Sequence, residues 1–409
     1  MKKRIVVLGT GFAAFRFLKK INTRLYDVSV ISPRNHFLFT PLLPETTVGT
    51  IEFRSIIEPV RNLSGITFHQ SYGTGLDAEN KFVTCKDSDT QKEYRINFDY
   101  LVIAVGEVTN TFGIDGIREN ALFLKELSDA RKIRTKAIDC FENAALPGIS
   151  EEEKRRFLRF AVCGGGPTGV EFAAELHDFI EHDVKRKYRD LADFVEIILI
   201  EAGGTLLASF DKKLSEYTMK IFKRQNITLK INSYVNKVDE KTIFLNDGTS
   251  FEYGLLVWAT GNASTDFANN SALETNKRGK FITDNFFRVK NGAELYEYIF
   301  AIGDCAVIEN YELPVTAQVA QKAGLYLAKL LNAGINGMKP FTFKNFGMLA
   351  YIGGGKALAD TPQYKGTGFS AFVLWRSAYL TKLVSFKNKL LVLFDWMKTF
   401  LFGRDVSNF

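Results

Sequence analysis

Phe160-Ala161-Val162-Cys163-Gly164-Gly165-Gly166-Pro167-Thr168-Gly169-Val170-Glu171-Phe172 is the stretch that decides the fold. Four apolar residues suit a strand buried on both faces. They run into a G-x-G-x-x-G turn. From Val170 to Val184 the spacing turns helical, with apolar residues at Val170, Phe172, Ala173, Leu176, Phe179 and Ile180. A second apolar strand, Ile197–Ile200, follows. Strand, glycine turn, helix and strand make a βαβ unit. In such a unit the first glycine makes the tight turn, the second lets backbone approach a pyrophosphate, and the third lets helix and strand pack closely. The helix N-terminus adds free N–H groups and a positive dipole. Gly164, Gly166, Pro167, Thr168 and Gly169 are therefore candidate dinucleotide-binding residues. Glu201 directly follows the second strand, where an acid binds both ribose hydroxyls and repels a 2′-phosphate, so NADH is favoured over NADPH. The distance from glycines to acid exceeds the usual ~20 residues, and the polar insert between His182 and Asp193 accounts for it. Glu171, in the first helical turn, also reads as a charge matched to the helix dipole.

The same plan opens the chain. Ile5–Leu8 is a strand, Gly9-Thr10-Gly11-Phe12-Ala13-Ala14 fits G-x-G-x-x-A, a helix runs from about Phe12 to Lys20, and Val28–Ile31 is the next strand. Here the ribose acid is missing, and Ser32-Pro33-Arg34 takes its place. A serine hydroxyl still hydrogen-bonds a ribose. Arg34 reads either as a partner of adenine or phosphate, or as a surface arginine. Three more strand candidates, Leu101–Ala104, Leu255–Trp258 and Tyr298–Ala301, each end at a glycine, namely Gly106, Gly261 and Gly303. The two glycine turns lie 155 residues apart, a duplication at domain scale rather than a solenoid. Two dinucleotide sites point to FAD plus a nicotinamide, with a hydride passing between them. The fold class expected is α/β, with two Rossmann-like dinucleotide-binding domains.

Composition narrows the classes. The 409 residues are 46% hydrophobic and 24% charged, a globular balance that excludes a wholly disordered chain. No run approaches the ~18 apolar residues of a membrane span. Met1-Lys2-Lys3-Arg4 imitates a signal peptide, but Gly9, Gly11, Arg16 and Lys19 break the apolar stretch early. The four cysteines form no Cys-x-x-Cys, and no His-x-x-x-His occurs, so no metal site is expected. The 46 acidic residues against 53 basic ones leave a net charge of +7. Much of this excess sits in residues 370–409, where Arg376, Lys382, Lys387, Lys389, Lys398 and Arg404 face only Asp395 and Asp405. Aromatic residues crowd the same stretch. It reads as a C-terminal amphipathic membrane-attachment region, aromatic on one face and basic on the other, lying on an anionic bilayer. A homodimer interface is the rival reading, and no nucleic-acid-binding motif accompanies the charge.

The chain resembles the type II NADH:quinone oxidoreductases, the single-subunit alternative NADH dehydrogenases, nearly end to end. The specific parts are Ser32-Pro33-Arg34-Asn35-His36-Phe37-Leu38-Phe39-Thr40-Pro41-Leu42-Leu43-Pro44, Val48-Gly49-Thr50, Arg54-Ser55-Ile56-Ile57-Glu58-Pro59, the stretch Gly164–Phe172, Trp258-Ala259-Thr260-Gly261-Asn262, Phe300-Ala301-Ile302-Gly303-Asp304 and Ala317-Gln318-Val319-Ala320-Gln321. The wording is most like the yeast-type mitochondrial internal enzymes. The resemblance implies that Gly9, Gly11, Phe12, Ala13, Ser32, Pro33 and Arg34 hold the adenosine end of FAD. Thr40, Pro41 and Leu42 would lie near the flavin ring and Asp304 on the ribityl chain, with Gly106 and Gly303 as further cofactor-binding candidates. Gln318 and Gln321 would border flavin and quinone, and Glu171 would serve proton uptake as a catalytic group. Domains follow as 1–120 with 280–345 for FAD, 121–279 for NADH, with Gly261 at its exit, and 346–409 for the membrane.

The expected activity is transfer of a hydride from NADH to FAD and of two electrons to a membrane quinone, without proton pumping. Residues 35–60 hold no Cys, which argues against the disulfide reductases of this architecture. Cys163 and Cys305 read as packing residues rather than the sulfur shuttles of sulfide:quinone enzymes. Gly106-Glu107-Val108 departs from the family's wording, and no calcium-binding insert appears. The alternatives are another flavoprotein reductase, of apoptosis-inducing-factor or ferredoxin-reductase type, and an NADH-binding redox sensor. The mitochondrial inner membrane is the expected location. The lack of a presequence keeps the cytoplasmic face of a bacterial plasma membrane as the alternative.

Overall fold

The computed structural model of the chain describes residues 2–334 and 338–407. In chain order the elements that position the site are β1 (Lys3–Leu8), α1 (Phe12–Leu18), β2 (Tyr26–Ser32), β3 (Ile66–Asp77), β4 (Tyr100–Ile103), β5 (Arg159–Cys163), α2 (Pro167–Phe179), β6 (Glu196–Glu201), β7 (Ile227–Ile231), β8 (Leu255–Trp258), β9 (Glu294–Ala301), α3 (Ala317–Asn332), α4 (Phe369–Lys382) and α5 (Phe386–Phe402). They divide between two units. The first comprises residues 1–38, 57–108 and 262–344, and the second 39–56, 109–261 and 345–409.

In the first unit the strands run β9-β4-β1-β2-β3, all parallel, and shorter strands extend the sheet on both sides. Ile5 and Val7 of β1 join Val28, Val30, Val102 and Phe300 on one face, under Ala14, Phe17, Ala323 and Leu327 of α1 and α3. Val6 and Leu8 face the other way, onto Ile31, Leu101, Ile103 and Ile299. Both faces are covered, which is why β1 carries no polar alternation. Helices α1 and α3 pack tightly, because a Cβ on Gly324 would meet the Ala13 carbonyl oxygen at 2.1 Å.

The second unit repeats the plan. Its strands run β8-β5-β6-β7, again parallel, with Leu122–Phe123 on the β8 edge. One face carries Ala161, Cys163, Ile198, Ile200 and Trp258 under the antiparallel strands Val235–Val238 and Thr242–Leu245. Helix α2 packs on β5 and β6 through Val170, Phe172, Ala173 and Leu176, all fully buried. The helix expected over Val170–Val184 ends as an α-helix at Phe179 and continues as a π-turn, Ile180–Val184.

Residues 39–56 group with the second unit, because their polar groups bond α5. Asn388 Nδ2 donates to the Ser55 carbonyl (2.9 Å), Asp395 accepts from the Ser55 hydroxyl and Glu52 N–H (2.5 and 3.0 Å), and Thr399 donates to the Thr50 carbonyl (3.0 Å). The segment 346–409 belongs to that unit as well, as a three-stranded sheet (Met348–Tyr351, Ala357–Asp360, Lys365–Gly368) followed by α4 and α5. Among the described residues no helix is long and apolar enough to cross a membrane.

Candidate active site

The two glycine turns are built alike. Gly9 has φ +108°, and a Cβ there would lie 2.3 Å from the carbonyl oxygen of Ala104, at the end of the neighbouring β4. Gly164 has φ +116°, and its Cβ would lie 2.7 Å from the carbonyl oxygen of Ala259, at the end of the neighbouring β8. Only glycine serves there. Gly11 and Gly166 cap α1 and α2 with nearly the same backbone, φ −74° in both, and a Cβ on either would meet nothing within 4 Å. Each cap thus leaves open space ahead of a helix N-terminus, a shape that fits a pyrophosphate. The third position differs. Gly169 lies so near the Gly164 carbonyl that a Cβ would stand 2.0 Å away. Ala14 fills the matching place in the first turn and is wholly buried.

Glu201 is fixed at the end of β6. Its Oε2 accepts the Gly165 N–H at 2.5 Å and its Oε1 the Gly203 N–H at 2.6 Å. A Cβ on Gly165 would come within 2.8 Å of that carboxylate. A side chain at Gly165 would therefore press on Glu201 and Leu206, and the triple glycine in the sequence was the only signal for this position. In the first unit Ser32 is buried, and its hydroxyl meets the Thr10 hydroxyl at 3.1 Å and accepts the Arg34 N–H at 3.2 Å. Arg34 Nε donates to the His36 carbonyl at 3.1 Å, folding that side chain along the turn, while Pro33 is exposed. Gly303 (φ +82°) and Asp304 line a cavity of about 530 Å³ with Lys280, Tyr311 and Val319, and Ala13 Cβ lies 3.1 Å from where a Gly303 Cβ would stand. Gly106 (φ +70°) follows β4, and its Cβ would meet nothing within 4 Å. Glu107, beside it, forms a buried ion pair with Lys280 at 2.9 Å.

Gln318 and Gln321 stand in the first turns of α3, half-buried, behind the Thr316 side chain that caps the helix. Thr40, Pro41 and Leu42 form a single 3-10 turn in the second unit, with Thr40 exposed and Leu42 buried. Gly261 (φ +78°) is crowded, its Cβ position 2.6 Å from the Asn110 carbonyl oxygen.

Glu171 is buried in a layer of carboxyl groups that sequence reading missed. Burial lifts its carboxyl to about 8, although the Tyr351 N–H donates to Oε1 at 3.2 Å. One turn on, Glu175 accepts from Thr50 (2.7 Å) and Arg404 (3.3 Å); burial raises it against those contacts. Asp178, opposed by burial, is held below its ordinary range by His177, by the Tyr351 hydroxyl and by the Gly354 N–H. Asp183, turned inward by the π-turn, takes the Arg404 guanidinium at 3.1 Å and its N–H at 2.9 Å. All four acids lie on one continuous helical stretch, and the cation between them comes from beyond α5.

The C-terminal helices divide their side chains otherwise than expected. Trp375 and Trp396 point inward with Asn388 and Val392. Phe386, Leu390, Phe394, Met397, Phe400 and Leu401 form an outward apolar stripe, with Phe400 87% exposed. Arg404 is 8% exposed and Lys398 pairs with Glu52 at 2.6 Å, so neither is a free surface charge. The buried Trp396 indole N–H finds its acceptor in Glu45 at 2.7 Å, while Trp375 stacks on the Tyr351 ring with centroids 5.3 Å apart. The four cysteines are buried free thiols, and burial alone pushes Cys85 up to about 12.

Residues 3–324 match the family described as pyridine nucleotide-disulphide oxidoreductase, and residues 346–405 match the NDH2 C-terminal domain. A probable NADH dehydrogenase of Dictyostelium discoideum is 45% identical over 100% of this chain and 91% of its own length. The chain belongs to the type II, or alternative, NADH dehydrogenases. The mitochondrial internal alternative NAD(P)H-ubiquinone oxidoreductase A1 of Solanum tuberosum is 41% identical over 99% of this chain and 88% of its own. The structure of NDH2 from Plasmodium falciparum in complex with NADH superposes with a TM-score of 0.95 at 32% identity, covering 100% of both chains. The family expected from the motifs is thus the family found, and so is the fold.

The raised Glu171 carboxyl has a consequence for stability. A folded-state value of about 8 against an ordinary 4.5 means that the folded protein binds this proton more tightly than the unfolded chain. The contribution is fully present below about pH 4.5 and is lost as pH rises through about 8, on the order of a few kcal/mol. Thermal unfolding across that range is expected to show a falling midpoint, and Glu171→Gln to flatten the fall. An unchanged slope in the variant would contradict the burial account.

Proposed function

We propose that this alternative NADH dehydrogenase is a membrane-peripheral NADH:quinone oxidoreductase, with FAD as its prosthetic group. The observation that carries it is the doubled cradle. Gly11 and Gly166 each leave open space before a helix N-terminus, in two separate units, whereas a single-cofactor dehydrogenase needs one. The names of its relatives, NADH dehydrogenase and NAD(P)H-ubiquinone oxidoreductase, support the same reading. The net reaction takes NADH, one proton and a quinone to NAD⁺ and a hydroquinone.

The first unit takes FAD. The Gly9–Ala13 turn and the N-terminus of α1 hold its pyrophosphate, Ser32, Pro33 and Arg34 its adenosine, and Gly303 and Asp304 its ribityl chain. When bound, FAD accepts a hydride and passes two electrons on, chemistry no side chain here supplies. The Gly164–Gly169 turn holds the NADH pyrophosphate. Glu201 already accepts two backbone N–H groups, yet a carboxylate has about four acceptor sites, which leaves room for the ribose hydroxyls. Gln318 and Gln321 orient the acceptor side, and Glu171 supplies a proton. The protein's work is positioning and electrostatics rather than covalent catalysis. The outward stripe of α5 lies in the lipid interface, where a hydrophobic quinone is found. The mitochondrial inner membrane is the proposed location, as the names of the plant relatives suggest. A homodimer through the same stripe is the second reading, because so exposed an apolar row also suits a second copy.

Anaerobic addition of NADH to the holoprotein in mild detergent should bleach the flavin band, and a short-chain ubiquinone should restore it over many cycles. Bleaching without recovery would reject the quinone. Glu201→Arg should move preference toward NADPH by roughly tenfold or more, since an acid that repels the 2′-phosphate is replaced by a cation; unchanged preference would refute the ribose role. A triple change of Phe394, Phe400 and Leu401 to Ser should abolish sedimentation with anionic liposomes at unchanged melting temperature. If lipid binding survives and a dimer dissociates instead, the stripe is the dimer face.

A further inference from the structure

Glu45 stands apart from the four acids on the α2 stretch. It lies in the short helix Leu43–Thr46, 3% exposed. Its Oε2 accepts the Trp396 N–H at 2.7 Å, while its Oε1 is buried with no partner. Among the described residues no cation comes within ion-pair distance of it. Arg376 of α4 is the nearest basic influence, and its guanidinium lies over the Trp396 ring, 4.5 Å from the centroid. The groups that face Glu45 are Glu171 and Glu175 from α2, Tyr379 and Arg376 from α4, and Trp396 from α5. Two of these are carboxyl groups, and the one cation is spent on an indole face.

A buried carboxylate oxygen without a partner carries a large desolvation cost. A neutral carboxylic acid removes the ionic part of that cost. Its proton sits on the unpartnered oxygen, and the other oxygen still accepts from Trp396. Burial and the neighbouring Glu175 and Glu171 push Glu45 well above the carboxylate range, against Trp396 and Arg376. A glutamine would satisfy Trp396 equally and titrate nothing. The choice of an acid where an amide would serve the packing is what calls for a function.

We infer that Glu45 is a proton-holding residue for quinone reduction, keeping a second proton beside the one on Glu171 beneath the C-terminal helices. The inference rests on the functional reading above. Quinone reduction forms two O–H bonds; one hydrogen derives from the hydride that NADH supplies, and the other is the proton that enters through Glu171. In each turnover the Glu45 O–H bond breaks, its proton replaces the one given up by Glu171, and the carboxylate left behind regains a proton from water. No oxidant or reductant beyond NADH and the quinone is required. Glu45 acts through Glu171, so it is a positioning residue for protons and need not touch the acceptor.

Infrared spectroscopy of the holoprotein at about pH 7 should show the C=O stretch of protonated carboxylic acids, with one component lost in Glu45→Gln and another in Glu171→Gln. A wild-type spectrum without such a band overturns the inference and needs no variant to fold. In stopped flow, Glu45→Gln should slow flavin reoxidation by the short-chain ubiquinone roughly tenfold near pH 9. Near pH 6, where solvent protons are abundant, the rates should converge within about twofold. Bleaching by NADH in the same cuvette is the reference. Parallel pH profiles for wild type and Glu45→Gln would also overturn it, because a purely structural Glu45 leaves the profile's shape alone. If the wild type fails to reoxidise with quinone at all, the functional reading falls, and the Glu45 inference, which rests on it, falls with it.

Discussion

Two carbonyl oxygens set the terms for this molecule. Those of Ala104 and Ala259 press against Gly9 and Gly164 so closely that a methyl group would overlap them. Each contact brings the end of one central strand against the end of its neighbour, and each turns the chain sharply into a helix whose first N–H groups face open space. The parallel sheets, the apolar strands without alternation and the wedging of α1 against α3 at Gly324 all follow from keeping those two turns tight. A strand buried on both sides cannot slip register without displacing its whole core, so the cradles are held by the sheets rather than by their own loops.

The second unit faces a different problem. It buries Glu45, Glu171, Glu175, Asp178 and Asp183, and of the two guanidinium groups buried among its described residues Arg404 pairs with these acids while Arg134 lies by Glu52. Five acids and one base cannot all be ionised in a low-dielectric interior. The structure resolves this by specialising them. Asp178 is hydrogen-bonded into its charged form, Asp183 and Glu175 share Arg404, and Glu171 is left to hold its proton. The helix that carries four of them changes pitch at Ile180–Val184, and this swings Asp183 toward Arg404. A π-turn at such a place is common near working sites.

Much of the architecture was legible. Apolar runs ending in glycine marked the central strands, and β8 matches Leu255–Trp258 residue for residue. The two turns were found from spacing, and Glu201 from its place after β6. The acid layer was not legible, because Glu45, Glu175 and Asp183 sit at spacings that serve equally well for an exposed helix face; only the tertiary fold buries them. Nor was the inward turn of Trp375 and Trp396. In sequence, aromatic and basic residues alternate through α4 and α5 in a way that suits either face. For Trp396 the deciding partner is Glu45, 351 positions away, and for Trp375 it is the Tyr351 ring it stacks on. Arg404 read as one more surface charge for the same reason.

The placing of Arg404 bears on how the chain is made. Synthesis runs from the N-terminus, and Arg404 emerges 229 residues after Glu175 and 221 after Asp183. Until then Glu175 and Asp183 lack the guanidinium that pairs with them in the folded unit. The apolar stripe of α5 directly precedes Arg404 in the sequence. The exposed apolar row and the cation that ties down the end of its helix are therefore neighbours on the chain. Two of the interior acids thus depend on one distant residue, and without Arg404 both Glu175 and Asp183 would be buried lacking their counter-charge.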